Sequence, residues 1–220
     1  MLYYSPQLNT IHRGKLLLDN HSSEPKFNRD DVIIEQEKFV YHGFFRLKEY
    51  RLRHRLFAGG WSETITREVF VRGDAVGVLL YDPKQQAVVM VEQFRTGALK
   101  DASTPWLVEI VAGGIPKGEE PAAVAIKEVF EETGLEVSKV QPMVSYYASP
   151  GGNAEKFHLF YAIIDASLAG GIHGLKDEHE DIRVCVFSLE ECMQAVAAGN
   201  INNAMTLIAL QWLQMHHQEL

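Results

Sequence analysis

The sequence predicts a mixed α/β domain from about Arg72 onward, preceded by a β-rich N-terminal extension. Two observations carry that reading. Short runs rich in β-branched residues recur along the chain, and one amphipathic, helix-length stretch interrupts them before a second closes the chain. A chain of 220 residues, 46% of them hydrophobic, can bury the core such a domain needs.

The elements follow in order. Met1 to about Gln36 has mixed composition, no sustained period and turn-formers such as "SSEPKFNRDD", which predicts a loosely ordered start. From Lys38 the run "KFVYHGFFRLKEYRLRHRLF" is long and partly alternating. After the turn signal "AGG" comes "SETITREVFVRG", so two long strands in a hairpin-like arrangement are expected. "AVGVLLYD", the turn "DPKQQ", "AVVMVEQFR" and "WLVEIVAGG" read as core strands. Three more strands are expected at "VQPMVSYYAS", "EKFHLFYAIID" and "IRVCVFSL", before a closing amphipathic helix, "NAMTLIALQWLQMHH".

Charge and composition exclude several classes. A formal net charge of -8 and a pI near 5.6 argue against a protein devoted to nucleic acid, while leaving small anionic ligands open. The basic alternation "RLKEYRLRHR" lacks spaced stacking aromatics and reads as an edge strand or interface face. Cys185 and Cys192 read as ordinary thiols, which points to a reducing cytoplasm. The opening has no long apolar segment and no run approaches a membrane span, so no membrane association is expected.

The stretch "GGIPKGEEPAAVAIKEVFEETGLEV" holds six glutamates in 25 residues. Pro121 suits the first turn of a helix and Gly134 its stop, which predicts a helix from about Pro121 to Thr133. Ala122, Ile126, Val129 and Thr133 then share one face, expected against the sheet, and Glu128, Glu131 and Glu132 fall away from it. Like charges three and four residues apart disfavour a helix by a few tenths of a kcal/mol per pair, so something should offset the repulsion. A divalent cation would, and carboxylate oxygens at one helix surface, with Glu119 arriving from the preceding loop, suit magnesium or manganese. A solvated acidic face is the ordinary alternative.

The full spacing decides between them. From Gly113 the order is glycine, five residues, Glu119, seven residues, Lys127-Glu128-Val129, one residue, Glu131-Glu132, Thr133, Gly134, Leu135. This resembles the Nudix box, with one departure, Lys127 in place of the family's arginine. The resemblance implies an α/β/α sandwich around a mixed sheet and metal-dependent hydrolysis of a nucleoside diphosphate linked to another moiety. It further implies Glu128, Glu132 and the Ala112 backbone carbonyl as metal ligands, a catalytic place for Glu131 beside them, and site-orienting roles for Glu119 and Lys127. A lysine keeps the charge of arginine but not its planar fork.

Beyond the box, from about Tyr41 onward, the chain looks most like the bacterial ADP-ribose pyrophosphatases. "SYYASPGG" places Pro150 fifteen positions after Leu135, and "GLKDEHEDIRV" resembles the acidic catalytic loop of that subfamily. The resemblance makes Glu180 the candidate general base, with Glu178 the runner-up. Arg95 in "FRTGA" matches a substrate-binding arginine, and Arg67 in "TREVF" matches one that stacks on adenine. Phe44 in "YHGFF" matches an aromatic contributed by the second subunit of a homodimer. The implied substrate is ADP-ribose, cleaved to AMP and ribose 5-phosphate. A nucleotide sugar or dinucleoside polyphosphate, and a non-catalytic ADP-ribose sensor, are the alternatives. Residues 1–71 are accordingly expected to form a dimerising extension and residues 72–220 the Nudix domain.

Overall fold

The computed structural model describes residues 25–101 and 103–220. Most of the predicted loose start therefore lies outside the described residues. The rest departs from it: a helical turn occupies Arg29–Asp31, and strand β1 (Val32–His42) begins six positions before Lys38. The described chain forms two compact units, residues 25–36 with Arg51–Thr66, and Glu37–Tyr50 with Arg67–Leu220.

β1, β2 (Arg46–His54) and β3 (Ile65–Val71) form a sheet in the order β1-β2-β3. The expected two strands are three because the chain turns at Gly43–Phe45, where the Gly43 N–H donates to Phe45 O at 3.0 Å. The basic alternation of β2 does not make a continuous cationic face. Within the first unit Arg53 Nε lies 2.9 Å from Glu35 Oε1, and within the second Lys48 Nζ lies 3.5 Å from Glu37 Oε2. Acid answers base across the ladder, as cross-strand neighbours do when their charges are opposite.

The second unit holds a mixed sheet of β4 (Ala75–Asp82), β5 (Ala87–Phe94), β6 (Trp106–Glu109), β7 (Val111–Gly114), β8 (Gln141–Tyr147), β9 (Lys156–Ile163), β10 (Ile172–His173) and β11 (Ile182–Ser188). The order is β10-β11-β5-β4-β9-β8, with β6 on β5 and β7 on β4. β4 and β9 run parallel, and the other pairs are antiparallel. β4 is buried along its whole length, which is why it reads as an unbroken apolar run. Val76, Val78 and Leu80 point to one face, and Leu79 and Tyr81 to the other, following the two-residue period of a strand. α1 (Pro121–Thr133) covers the first face; α2 (Leu189–Ala197) and α3 (Ala204–His216) cover the second. The result is the expected α/β/α sandwich. Among the described residues no helix is long and apolar enough to cross a membrane.

Two local findings depart from the sequence reading. "WLVEIVAGG" is two strands, broken at Ile110, whose freed N–H donates to the buried Thr206 hydroxyl of α3 at 3.1 Å. A hydroxyl there satisfies a buried donor that would otherwise cost roughly 1–3 kcal/mol. α2 was not foreseen, although its start is marked by a capping box. Ser188 Oγ accepts from the Glu191 N–H at 3.2 Å, and the Glu191 carboxylate accepts from the Ser188 N–H at 2.7 Å.

Candidate active site

α1 has the predicted bounds for the predicted reasons. Pro121 occupies its first turn, and Gly134 ends it at φ 70, with its N–H donating to Phe130 O at 2.8 Å. A helix of 13 residues is marginal in isolation, so its packing against the sheet holds it. The packed face is rotated from the expected one. Val124, Ala125, Val129, Glu132 and Thr133 are buried, whereas Ala122 is exposed and Ile126 only partly covered. Glu132 thus lies on the sheet side instead of falling away from it, and Glu128, one turn earlier, is half-buried beside it. The four-residue steps 124, 128, 132 and 125, 129, 133 define the real face.

β7 receives these carboxylates. The Ala112 N–H donates to Glu132 Oε2 at 3.2 Å. Gly113 is where Glu128 comes closest: a Cβ there would fall inside the Glu128 carboxylate, so only glycine leaves room. Burial pushes the Glu132 carboxyl up to about 8; the Ala112 N–H pulls it down, Glu128 pushes it up, Arg95 opposes and Glu180 adds. Burial likewise raises Glu128 to about 7, with Lys127 opposing and Glu131, Glu180 and Glu178 reinforcing. Desolvation and mutual repulsion outweigh the donors provided by the protein.

On the outer side of α1, Lys127 Nζ lies 2.8 Å from Glu131 Oε2. That hydrogen bond holds the Lys127 ammonium above its ordinary value. Lysine therefore makes a single contact with the neighbouring carboxylate. Arg95, just after β5, places Nε 2.6 Å from Glu109 Oε2. Glu109 is 6% exposed in a strand otherwise apolar, a partner that sequence reading did not identify; an acid inside "WLVEIV" was its available signal. Glu178 and Glu180 belong to the loop before β11. Its second residue is tied to Glu180, since the Leu175 N–H donates to Glu180 Oε2 at 3.0 Å.

The structure therefore brings Ala112, Glu128, Glu131, Glu132, Lys127, Arg95, Glu178 and Glu180 into one electrostatic neighbourhood. Glu119 is exposed in the loop before α1, and among the described residues no side-chain hydrogen bond or ion pair joins it to the cluster. Phe44, Arg67 and Pro150 are exposed and belong to the same compact unit. There an aromatic ladder links Phe44 to Phe45 at 4.8 Å and Phe45 to Phe70 at 5.0 Å. The Phe70 N–H donates to Gly152 O at 2.8 Å, so the ladder reaches the turn that carries Pro150.

A divalent cation fits the carboxylates. They are desolvated, lean toward protonation, and have fewer cationic and N–H partners than their charge needs. Among the described residues no three acidic, histidine or cysteine side chains already enclose a cation position. Such a site suits an ion completed by water and substrate oxygens rather than by an all-protein cage. Glu128 and Glu132 could hold it.

Known proteins resemble this chain in sequence and in fold. Residues 71–206 match the model of the NUDIX domain. The chain is 49% identical to an ADP-ribose pyrophosphatase of Escherichia coli over 88% of its length and 93% of that protein. It is 43% identical to one of Haemophilus influenzae, over 88% of this chain and 91% of the other. A GDP-mannose pyrophosphatase of Escherichia coli is 34% identical over 69% of this chain and 78% of its own. A crystal structure of an ADP compounds hydrolase superposes with a TM-score of 0.66 at 16% identity, covering 86% of this chain and 95% of that one, which speaks to the fold alone. The chain belongs to the NUDIX family.

Proposed function

We propose that the protein is a divalent-metal-dependent ADP-ribose pyrophosphatase, hydrolysing ADP-ribose to AMP and ribose 5-phosphate. The observation that carries the reading is the pair of desolvated box carboxylates, Glu128 and Glu132, on a chain 49% identical to proteins of that name. Magnesium, with manganese as substitute, is the proposed ion, held by Glu128, Glu132 and the Ala112 carbonyl. When bound, it supplies neutralisation of the diphosphate charge and a more acidic water.

The residues of the chain do the rest. Arg95, fixed by Glu109, presents its remaining guanidinium N–H groups to a substrate oxygen. Lys127 orients Glu131 through their 2.8 Å contact, which keeps Glu131 beside the carboxylates, and Glu119, exposed in the preceding loop, orients the site only once metal and substrate are bound. Glu180, with Glu178 as the second candidate, accepts the proton of the attacking water. A new P–O bond forms as the bridging P–O bond breaks, and the bridging oxygen leaves on the other phosphate. Arg67 and Phe44 hold the adenine between a guanidinium and a ring, and Pro150 shapes the turn beside them. Phe44 comes from the second subunit of a homodimer whose β-rich extension, residues 1–71, makes the interface. The enzyme works in the cytoplasm, without nucleic acid or membrane as partner.

The GDP-mannose pyrophosphatase relatives support a second reading, a nucleotide sugar as preferred substrate. Turnover of ADP-ribose, GDP-mannose and a dinucleoside polyphosphate with magnesium, with products identified, separates the two. The highest kcat/KM should belong to ADP-ribose, and a higher value for GDP-mannose would overturn the assignment.

A further inference from the structure

We propose that His173 is a positioning residue that latches the loop bearing Glu178 and Glu180 to the end of helix α1. The loop is closed upon itself. The Leu175 N–H donates to Glu180 Oε2 at 3.0 Å, the Glu180 N–H donates back to Leu175 O at 3.2 Å, and the Glu178 N–H donates to the same carbonyl at 3.0 Å. A loop that holds its own shape still needs its position fixed relative to the box carboxylates.

Two attachments to α1 supply that. The Gly174 N–H donates to the Glu131 carbonyl at 3.1 Å, indexing the loop to the helical turn that carries Glu128, Glu131 and Glu132. Immediately before it, the His173 ring lies against Gly134, the residue that stops the helix. The position a Cβ on Gly134 would occupy is 2.7 Å from His173 Cε1 and 3.3 Å from Nδ1. The glycine at this helix stop therefore also makes the seat for the imidazole. The ring is locked from its other side, because Nε2 donates to Gly170 O at 2.8 Å, which a carbonyl can only accept. β10 pairs His173, at the start of the loop, with the fully buried Ile182 of β11 at its far end, so the latch residue is tied to both ends of the loop. His173 touches neither Glu178 nor Glu180 in the hydrogen bonds described. Its effect on chemistry passes through where the loop sits, and a misplacement of about 1 Å can cost about 100-fold in rate.

This inference rests on the reading of Glu180 or Glu178 as the base, and the test separates the two. In the full-length protein, His173→Leu fills the seat without a donor, whereas His173→Gln restores an Nε2 donor at similar reach. His173→Leu should speed backbone hydrogen exchange at Gly174 and Leu175 and lower kcat for ADP-ribose about 10- to 100-fold, with KM nearly unchanged. His173→Gln should restore most of both. Adding His173→Leu to Glu180→Gln should cost little more than Glu180→Gln alone, because the base is already gone. Unchanged exchange in His173→Leu, or fully additive losses in the double variant, overturns the latch. Faster exchange combined with a Glu180→Gln and a Glu178→Gln of normal turnover leaves the latch standing and removes the base assignment. Should His173→Leu not fold, His173→Asn, too short to reach Gly170 O, takes its place beside His173→Gln.

Discussion

Glu132 and Ala112, twenty positions apart in the chain, meet where the Ala112 N–H donates to Glu132 Oε2 at 3.2 Å. One neutral donor serves a residue that is only 2% exposed, so desolvation dominates. The consequence for stability has a definite sign. Folding raises Glu132 from 4.5 to about 8 and Glu128 from 4.5 to about 7, so the folded state keeps protons that the unfolded chain releases. Their favourable contribution is complete below the unfolded value and is lost as pH rises through the folded ones. The Tm of the chelator-treated protein should therefore fall from about pH 5 to about pH 8, and magnesium should stabilise increasingly over the same interval. A metal-free Tm that climbs across this range would contradict the assignment.

The same balance predicts the effect of neutralising one carboxylate. Glu132→Gln keeps the shape and removes the buried charge. Turnover should drop roughly 100-fold or more, as a ligand matters at least as much as the groups that orient it. The metal-free variant should be no less stable than the parent at pH 8, and its Tm should depend less on pH. Calorimetry with and without magnesium checks both. Near-normal turnover at saturating magnesium would remove Glu132 from the metal site.

Gly113 offers a test that leaves every carboxylate in place. Its missing side chain is the space Glu128 occupies, so Gly113→Ala must displace that carboxylate or the strand. Magnesium affinity, read by titration of activity, should weaken about 10- to 100-fold while the protein remains folded. Unaltered magnesium dependence would show that the close approach has no bearing on the cation.

What the sequence revealed and concealed has a common cause. The ends of α1 were legible because Pro121 and Gly134 act locally, and β4 because its burial is uniform. The rotation of α1 was not, because assigning faces by apolarity sends every glutamate to solvent. Here Glu132 is buried and Glu128 half-buried, on the side of the helix that faces β7. The break at Ile110 depends on Thr206, 96 positions away, and the Arg95 partner Glu109 is 14 away. No window of local periodicity contains such pairs. α2 is the different case: Ser188 and Glu191 carried a readable capping signal within the chain itself.

Phe44 is 95% exposed at the tip of the β1–β2 turn, with Phe45 and Phe70 ranked beneath it. An aromatic side chain so open is suited to a surface supplied by another molecule, which the proposed reading makes the adenine in the neighbouring subunit. The protein should sediment as a dimer, and Phe44→Ala should raise KM for ADP-ribose about tenfold with kcat nearly unchanged, the loss of one stacking contact. A fully active monomer at assay concentration would refute the shared site.

The last prediction concerns which carboxylate takes the proton. Glu180 has one oxygen engaged by the Leu175 N–H, which fixes its side chain while leaving the second oxygen to accept. Glu178 is exposed, and among the described residues no side-chain hydrogen bond or ion pair restrains its carboxylate. A positioned base is more effective than a mobile one, and general-base catalysis contributes about 100- to 10,000-fold. Glu180→Gln should therefore lower kcat by about that factor with KM little changed, and Glu178→Gln should cost less. Because both carboxylates push Glu128 upward, each substitution should also lower the Glu128 carboxyl and, by removing a negative charge from the neighbourhood of the cation, weaken magnesium binding slightly, a readout independent of turnover. The reverse ranking of kcat would transfer the role to Glu178. Hydrolysis in oxygen-18 water then identifies the phosphorus attacked: label in AMP places the water at the adenosine phosphate, and label in ribose 5-phosphate places it at the other. The parent should show a single site of attack, since one restrained base can serve only one in-line approach; label divided evenly between the products would be incompatible with Glu180 acting from its fixed position.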